Sequence, residues 1–240
     1  MLDDQASGLR RLFLRRQQRP LGVGGVDASP VVFDLARALA DLGSRVLIID
    51  RSLGEIAALV NARVRSELAH VLDGDRKLRD VLIDGPAGIA ILPAARGLDE
   101  LALAVDAQGS GWQPCLSAWL DQANRYYDVW LINGLPPAGG EADVLLAVAP
   151  TAEGITCAYA QIKALAHCQG QRSFGIVVHQ AACEATAQAT FARVATTARR
   201  FLRADVDYRG RIPAASRVKP EREQALLTLA RSIVHQPTPG

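Results

Sequence analysis

Short runs of apolar residues, each the length of one buried strand, alternate along this chain with longer segments of helical pattern. The runs are continuously apolar, which is typical of parallel strands that are covered on both faces. The pattern therefore predicts an α/β fold with a doubly wound, mainly parallel sheet and helices on both faces. The clearest strands are predicted at residues 46–50, 88–93, 127–133, 143–148 and 174–178, with helices at 30–42 and 184–202.

The bulk composition fits one folded domain. The chain has 240 residues, of which 49% are hydrophobic, enough for one large core. We predict a domain at residues 21–235, flanked by a basic segment at 1–20 and a Pro-rich tail at 236–240. A net charge of +2 indicates no general role in polyanion binding.

The cysteines and histidines show no metal pattern. None of the four cysteines forms a C-x-x-C pair, and none has zinc spacing with a histidine. We interpret the cysteines as reduced, mostly buried thiols, and expect a cytoplasmic protein without a bound metal. No apolar stretch approaches the ~18 residues of a membrane-spanning helix.

Two polar residues end predicted strands. Asp50 closes the strand at 46–50, and Asn133 closes the strand at 127–133. Because ligands of doubly wound folds bind at the carboxyl ends of the strands, both residues are candidates for a site.

A glycine-containing segment precedes the first long helix. Residues 23–29 read V-G-G-V-D-A-S, which resembles the deviant phosphate loop of the MinD/ParA family of ATPases, K-G-G-x-G-K-[ST]. Gly24, Gly25 and Ser29 match that motif. The resemblance implies a P-loop NTPase fold, with ATP and magnesium as ligands where the activity survives.

The charges of the motif are nevertheless reversed. Val23 and Ala28 stand where the family has lysines, and Asp27 stands where it has a glycine. A carboxylate about 4 Å from a phosphate costs on the order of 4 kcal/mol at intermediate dielectric. We therefore expect no nucleotide cofactor, and interpret Gly24 to Ser29 as a vestigial site.

The same residues also suit an ordinary start of a helix. Ser29 is a good N-cap, and Pro30 is a good first helical residue. The Arg- and Gln-rich stretch 15–20 cannot form a buried strand, so we predict the central strand at 21–26. In that case the phosphate loop is absent and not merely altered.

Three further family motifs are altered. The D-x-D pair keeps Asp50 but has Ser52 as its second residue, and the magnesium-linked aspartate is Asn133. The V-V-N-R segment has His179 in place of its asparagine. Together with the loop, these changes predict a pseudo-ATPase with no catalytic residues of its own.

The amino terminus carries a motif outside the predicted core. Residues 4–10 read D-Q-A-S-G-L-R, which resembles the D-Q-A-x-x-L-R motif of the FlhG (also FleN) proteins within the MinD/ParA family. Segments 78–95 and 201–213 resemble that family as well. In FlhG proteins the motif activates the signal-recognition-type GTPase FlhF. The implied partner-binding residues are Asp4, Gln5, Ala6, Gly8, Leu9 and Arg10.

The resemblance implies control of flagellum number and placement through protein contacts. It also implies a location in the cytoplasm, with recruitment to the cell pole or membrane by the partner. Two alternatives stay open: an active MinD/ParA-type ATPase with a rearranged site, and a ParA-like partition protein that binds DNA non-specifically. The cobyrinic acid diamide synthases share only the superfamily. We expect no specific nucleic-acid binding and no ATP-dependent dimer.

The last helical pattern gives an expectation about membranes. Its apolar face comprises Ala225, Leu226, Leu229, Ile233 and Val234, with few basic residues beside it. Basic residues near anionic lipid add about 1 kcal/mol each. We therefore predict that this helix packs on the core and that membrane binding is weak or absent.

Overall fold

The computed structural model describes residues 20–106, 111–214 and 219–234. The D-Q-A-x-x-L-R motif at residues 4–10 and the tail at 236–240 lie outside the described residues, so their roles stay predictions.

An eight-stranded sheet forms the centre of the molecule. Its order is β3-β4-β2-β5-β1-β6-β7-β8, and every pairing is parallel except that of β3 with β4. The strands are β1 Leu21–Gly24, β2 Val46–Asp50, β3 Ile83–Asp84, β4 Ile89–Pro93, β5 Val129–Asn133, β6 Asp143–Val148, β7 Ser173–His179 and β8 Asp205–Ile212. The predicted doubly wound α/β fold is confirmed.

Helices cover both faces of the sheet, as expected. They are α1 Ala28–Asp41, α2 Glu55–Leu59, α3 Leu68–Leu72, α4 Leu78–Val81, α5 Gly97–Asp106, α6 Trp112–Gln122, α7 Ala152–Cys168, α8 Glu184–Leu202 and α9 Lys219–Val234. One face packs on α1 and α9. The other face packs on α5 and α6 beneath β2, β4 and β5, and on α7 and α8 beneath β6 and β7.

Alternate side chains of single strands divide between these layers. In β2, Val46 and Ile48 join the α1 layer, whereas Leu47 and Ile49 join the α5 layer. All five residues of β2 are buried. This double burial explains why the strand reads as a continuous apolar run.

The central strand is shorter than predicted. β1 comprises Leu21–Gly24 and lies between β5 and β6, so the prediction of a strand in this segment is confirmed. It ends two residues before Val26 because Gly25, at φ +133°, turns the chain away from the sheet. Gly88 similarly precedes β4 in a 3₁₀ turn, and β5 begins only at Val129.

The last helix packs on the core. Leu226, Leu229 and Ala230 of α9 are buried in the same cluster as α1, whereas Val234 is exposed. The predicted packing is thus confirmed, except that Val234 does not share the buried face. Within the described residues, no helix combines the length and the apolar character needed to cross a bilayer.

Replacing Leu229 tests the structural role of α9. Leu229 is 4% exposed, so Leu229→Ala is expected to lower the free energy of unfolding by about 2–5 kcal/mol. Chemical denaturation measures the loss. Val234→Ala is the matched control, since its side chain is 48% exposed and its removal leaves no cavity. Equal, small effects of both substitutions would contradict the packing role.

The prediction of mostly buried cysteines is wrong. All four thiols are free, but Cys115 and Cys157 are half-buried and Cys168 and Cys183 are exposed. Three of them lie in helices and Cys183 immediately precedes α8, and none belongs to a buried central strand such as β2.

Candidate functional site

A cleft opens at the carboxyl end of β1, where the strand order switches direction. β2 and β5 lie on one side of β1, and β6 and β7 lie on the other. Such a switch point is where doubly wound folds bind ligands. The cleft has a volume of about 440 Å³. We call it the edge cleft, and it is lined by Val23, Gly24, Gly25, Asp27, Ala28, Ser29, Arg51, Ser52, Glu55, Asn133, Gly134, Leu135 and Gln161.

Three of the residues singled out from the sequence form one hydrogen-bonded chain. The Asn133 amide Nδ2 donates to Asp50 Oδ1 at 2.8 Å and to Ser29 Oγ at 3.0 Å. Asp50 is fully buried and Asn133 and Ser29 nearly so. The prediction that Asp50 and Asn133 both lie at the carboxyl edge is confirmed. Their hydrogen bond joins β2 to β5, and the bond from Asn133 to Ser29 adds α1.

Glu55 completes this chain, and the sequence analysis did not identify it. The Ser29 hydroxyl donates to Glu55 Oε2 at 2.5 Å. Ser52 Oγ donates to Asp50 Oδ1 at 2.6 Å and accepts the Glu55 backbone N–H at 2.9 Å, which starts α2. Glu55 therefore places a carboxylate at the carboxyl edge, where the second acid of the D-x-D pair is replaced by Ser52. Its only sequence signal is an acid at the start of a helical pattern shortly after Asp50.

Arg51 is the one cation among the described residues that line the edge cleft. Its guanidinium donates from Nη2 to Asp99 Oδ2 at 2.5 Å and from Nη1 to the Leu135 carbonyl. Because Asp99 already neutralises it and Leu135 takes a second N–H, Arg51 has limited freedom to meet a phosphate in the cleft.

The prediction that Ser29 caps α1 is wrong. The helix begins at Ala28, and the N-cap is Asp27, which has φ 54° and makes no side-chain cap bond. Ser29 is the second helical residue, and its hydroxyl is committed to Glu55 and Asn133. Pro30 is then the third residue, where the missing N–H would have had no partner within the helix.

Apolar side chains occupy the positions of the family's lysines. Val23 is fully buried, and Ala28 is 8% exposed at the start of α1. Asp27 and Glu55 are exposed on the cleft wall. The described walls thus carry two carboxylates that are not paired with a cation, in addition to the Arg51–Asp99 pair.

Gly25 brings the backbone close to β6. A Cβ at this position would lie 2.0 Å from the Ala147 carbonyl oxygen, and φ is +133°. We expect Gly25→Ala to destabilise the fold by at least about 2 kcal/mol, since it adds both a steric clash and backbone strain. Thermal unfolding measures this. Gly43→Ala is the control, because Gly43 also has positive φ but open space around its Cβ; equal losses would refute a special role of the contact.

His179 lies at the end of β7, beside the turn that precedes α1. It is 2% exposed, and its Nε2 has no hydrogen-bond partner among the described residues. Burial lowers the pKa of His179, against the opposing effects of Asp27 and of a hydrogen bond with the Val26 backbone. The His179 side chain thus links β7 to the turn before α1.

No family model matches the chain. Over 202 residues, however, it is 33% identical to the antiactivator FleN of Pseudomonas aeruginosa, and the match covers 80% of this chain and 71% of FleN. The chain belongs to the FleN family. The resemblance inferred from its sequence motifs is thereby confirmed.

Solved structures share the fold of this FleN-family chain. The MinD cell division protein of Aquifex aeolicus matches with a TM-score of 0.62 and 19% identity, over 92% of this chain and 99% of that one. A cobyrinic acid a,c-diamide synthase of Mycobacterium smegmatis, with bound ATP analogue and magnesium, matches with a TM-score of 0.62 and 19% identity, over 90% and 94%. At these identities the likeness concerns the fold alone.

Proposed function

We propose that this FleN-family chain regulates flagellum number and placement through protein contacts. The observation that carries the proposal is the 33% identity to the antiactivator FleN over four fifths of the chain. An antiactivator acts by binding other proteins, and a folded domain can do this without any catalytic chemistry of its own. The test is a GTP hydrolysis measurement with the cognate FlhF GTPase, the partner that the D-Q-A-x-x-L-R resemblance implies.

The same proposal makes the chain a pseudo-ATPase. ATP carries several negative charges, and the edge cleft presents Asp27 and Glu55 to them. Each carboxylate close to a phosphate opposes binding by a few kcal/mol at intermediate dielectric. Because Arg51 is paired with Asp99, it offsets little of this repulsion between the carboxylates and the phosphates. Asn133 also offers a neutral amide where a magnesium-linked acid would be needed.

The contact with the GTPase is assigned to the amino-terminal motif. An arginine or glutamine on a short segment can complete the active site of a GTPase in trans. Gln5 and Arg10 have these side chains, and Leu9 supplies an apolar anchor. The core then serves to carry and regulate the segment.

ATP is not expected to change the oligomeric state. In the deviant motif a lysine crosses to the phosphates of the other subunit, and Val23 stands at that position, fully buried. Light scattering should give the same mass with and without ATP and magnesium. A mass that doubles only when ATP is added would contradict the proposal, whereas a dimer present in both conditions would not.

A further inference from the structure

The edge cleft is rich in hydrogen-bond acceptors. The Asp27 carboxylate receives no hydrogen bond from the described residues, and the Glu55 carboxylate receives one, from Ser29. Gln161, on the opposite wall, has its Oε1 buried without a donor within the described part of the chain.

These acceptors favour one kind of ligand. A buried acceptor without a donor costs about 1–3 kcal/mol, so a group that supplies several donors to such a cleft gains stability. A guanidinium has five N–H donors in a planar fork, no acceptor and a permanent positive charge. It matches carboxylates and amide oxygens, whereas a phosphate matches neither. Asp27 at the N-cap already offsets the positive end of α1.

The chain itself contains such groups close by. Residues 1–19 include five arginines, Arg10, Arg11, Arg15, Arg16 and Arg19, against the two aspartates Asp3 and Asp4. The segment joins the described structure at Pro20, just before β1, and the edge cleft lies at the other end of that four-residue strand. The strand is about 13 Å long at ~3.3 Å per residue. An extended chain of ten residues spans up to about 33–36 Å, so Arg10 and its neighbour Arg11 can reach the cleft.

We propose that the edge cleft binds an arginine side chain from residues 1–19 of the same chain. The guanidinium pairs with Glu55 and Asp27 and donates to Gln161. Resting on the proposed function, this docking withholds Leu9 and Arg10 from the GTPase until the partner competes for them. The edge cleft thereby holds the chain's own activating segment until the partner binds.

Trypsin cleavage of the full-length chain tests the docking, because the protease cuts after arginines that are free. In the double variant Asp27→Asn/Glu55→Gln, cleavage after the docked arginine, which the fragment masses identify among the five, is expected to be about tenfold faster than in the unmodified chain, equivalent to about 1.4 kcal/mol. The conservative pair Asp27→Glu/Glu55→Asp should retain most of the protection. Added salt should reduce the protection from cleavage, because charge pairs in a cleft that is open to solvent are screened.

The control removes the same charge elsewhere. Asp41 at the end of α1 and Asp205 at the start of β8 are both exposed, far along their elements from the cleft. Asp41→Asn/Asp205→Asn should leave the cleavage rate unchanged, and thermal unfolding verifies that each variant is folded. Equal cleavage in the unmodified chain and the cleft variant would overturn the proposal. Protection that grows with protein concentration would also overturn it, because it would assign the arginine to a second copy.

The outcome is independent of the proposed partner. No GTPase is present in the cleavage assay, so loss of protection in the cleft variant supports docking even if FlhF is not stimulated. Stimulation of FlhF without any change in cleavage would support the proposed function and exclude the docking.

Discussion

A peptide of residues 1–20 is expected to accelerate GTP hydrolysis by the cognate FlhF at least about tenfold, without the folded core. A short segment can activate a GTPase only by completing or ordering its site, so one or two side chains should dominate the effect. Gln5 is the candidate for orienting water or a loop, and Arg10 for stabilising charge in the transition state.

Single substitutions in the full-length chain separate the motif from the core. Burial of Leu9 in the complex is worth about 1.5–3 kcal/mol. Leu9→Ala should therefore raise the concentration needed for half-maximal activation by about 10- to 100-fold. Gln5→Ala should lower the maximal rate instead, because a residue that orients the attacking water acts in the transition state. Asp205→Asn, at an exposed position of the core outside the edge cleft, should change neither quantity.

Two results would count against this assignment. Full activation by the Leu9→Ala variant would place the contact with FlhF in the core and show that the amino-terminal motif does not contribute to activation. No activation by any form of the chain would mean that the FleN-family relationship does not extend to this partner. The rates of multiple-turnover hydrolysis at saturating GTP distinguish the two cases.

ATP and ADP are expected to bind this chain more weakly than about 100 μM, or about −5.5 kcal/mol. Asp27 and Glu55 oppose the phosphates, and the Arg51 guanidinium is held by Asp99. Isothermal calorimetry with magnesium and millimolar nucleotide measures this. Binding tighter than that limit would contradict the pseudo-ATPase proposal.

Substitutions that restore residues of the phosphate-loop motif should increase nucleotide affinity in the same calorimetric measurement. The double variant Asp27→Gly/Ala28→Lys removes one carboxylate and adds one lysine at the start of α1, which together favour a bound phosphate by several kcal/mol. Nucleotide affinity should then rise at least about tenfold over the unmodified chain. Glu55→Gln in addition should raise it further. The matched control Asp41→Gly/Ala40→Lys makes the same changes at the far end of α1 and should have no effect.

The fold class followed from the sequence because it depends on a local and repetitive pattern. Continuous apolar runs such as residues 46–50 and 143–148 signal strands buried on both faces, whatever their neighbours. The position of β1 was also predictable, since the arginines at 15–19 exclude a buried strand and the glycines follow at once. The residue at which β1 ends was not predictable, because the end of the strand depends on the contact between Gly25 and Ala147 of β6.

The site was predictable only in part. The sequence by itself identified Val23 and Ala28 in place of the lysines, the new acid at Asp27, and the placement of Asp50 and Asn133 at one edge, because motif positions and strand ends can be read along the chain. Their hydrogen bond came only from the structure. Only the tertiary structure assigned Ser29 to Glu55 and Arg51 to Asp99. These partners lie 26 and 48 residues apart, and crossover connections bring them together. Side-chain charge is a property of sequence, but which charges neutralise each other is decided by packing.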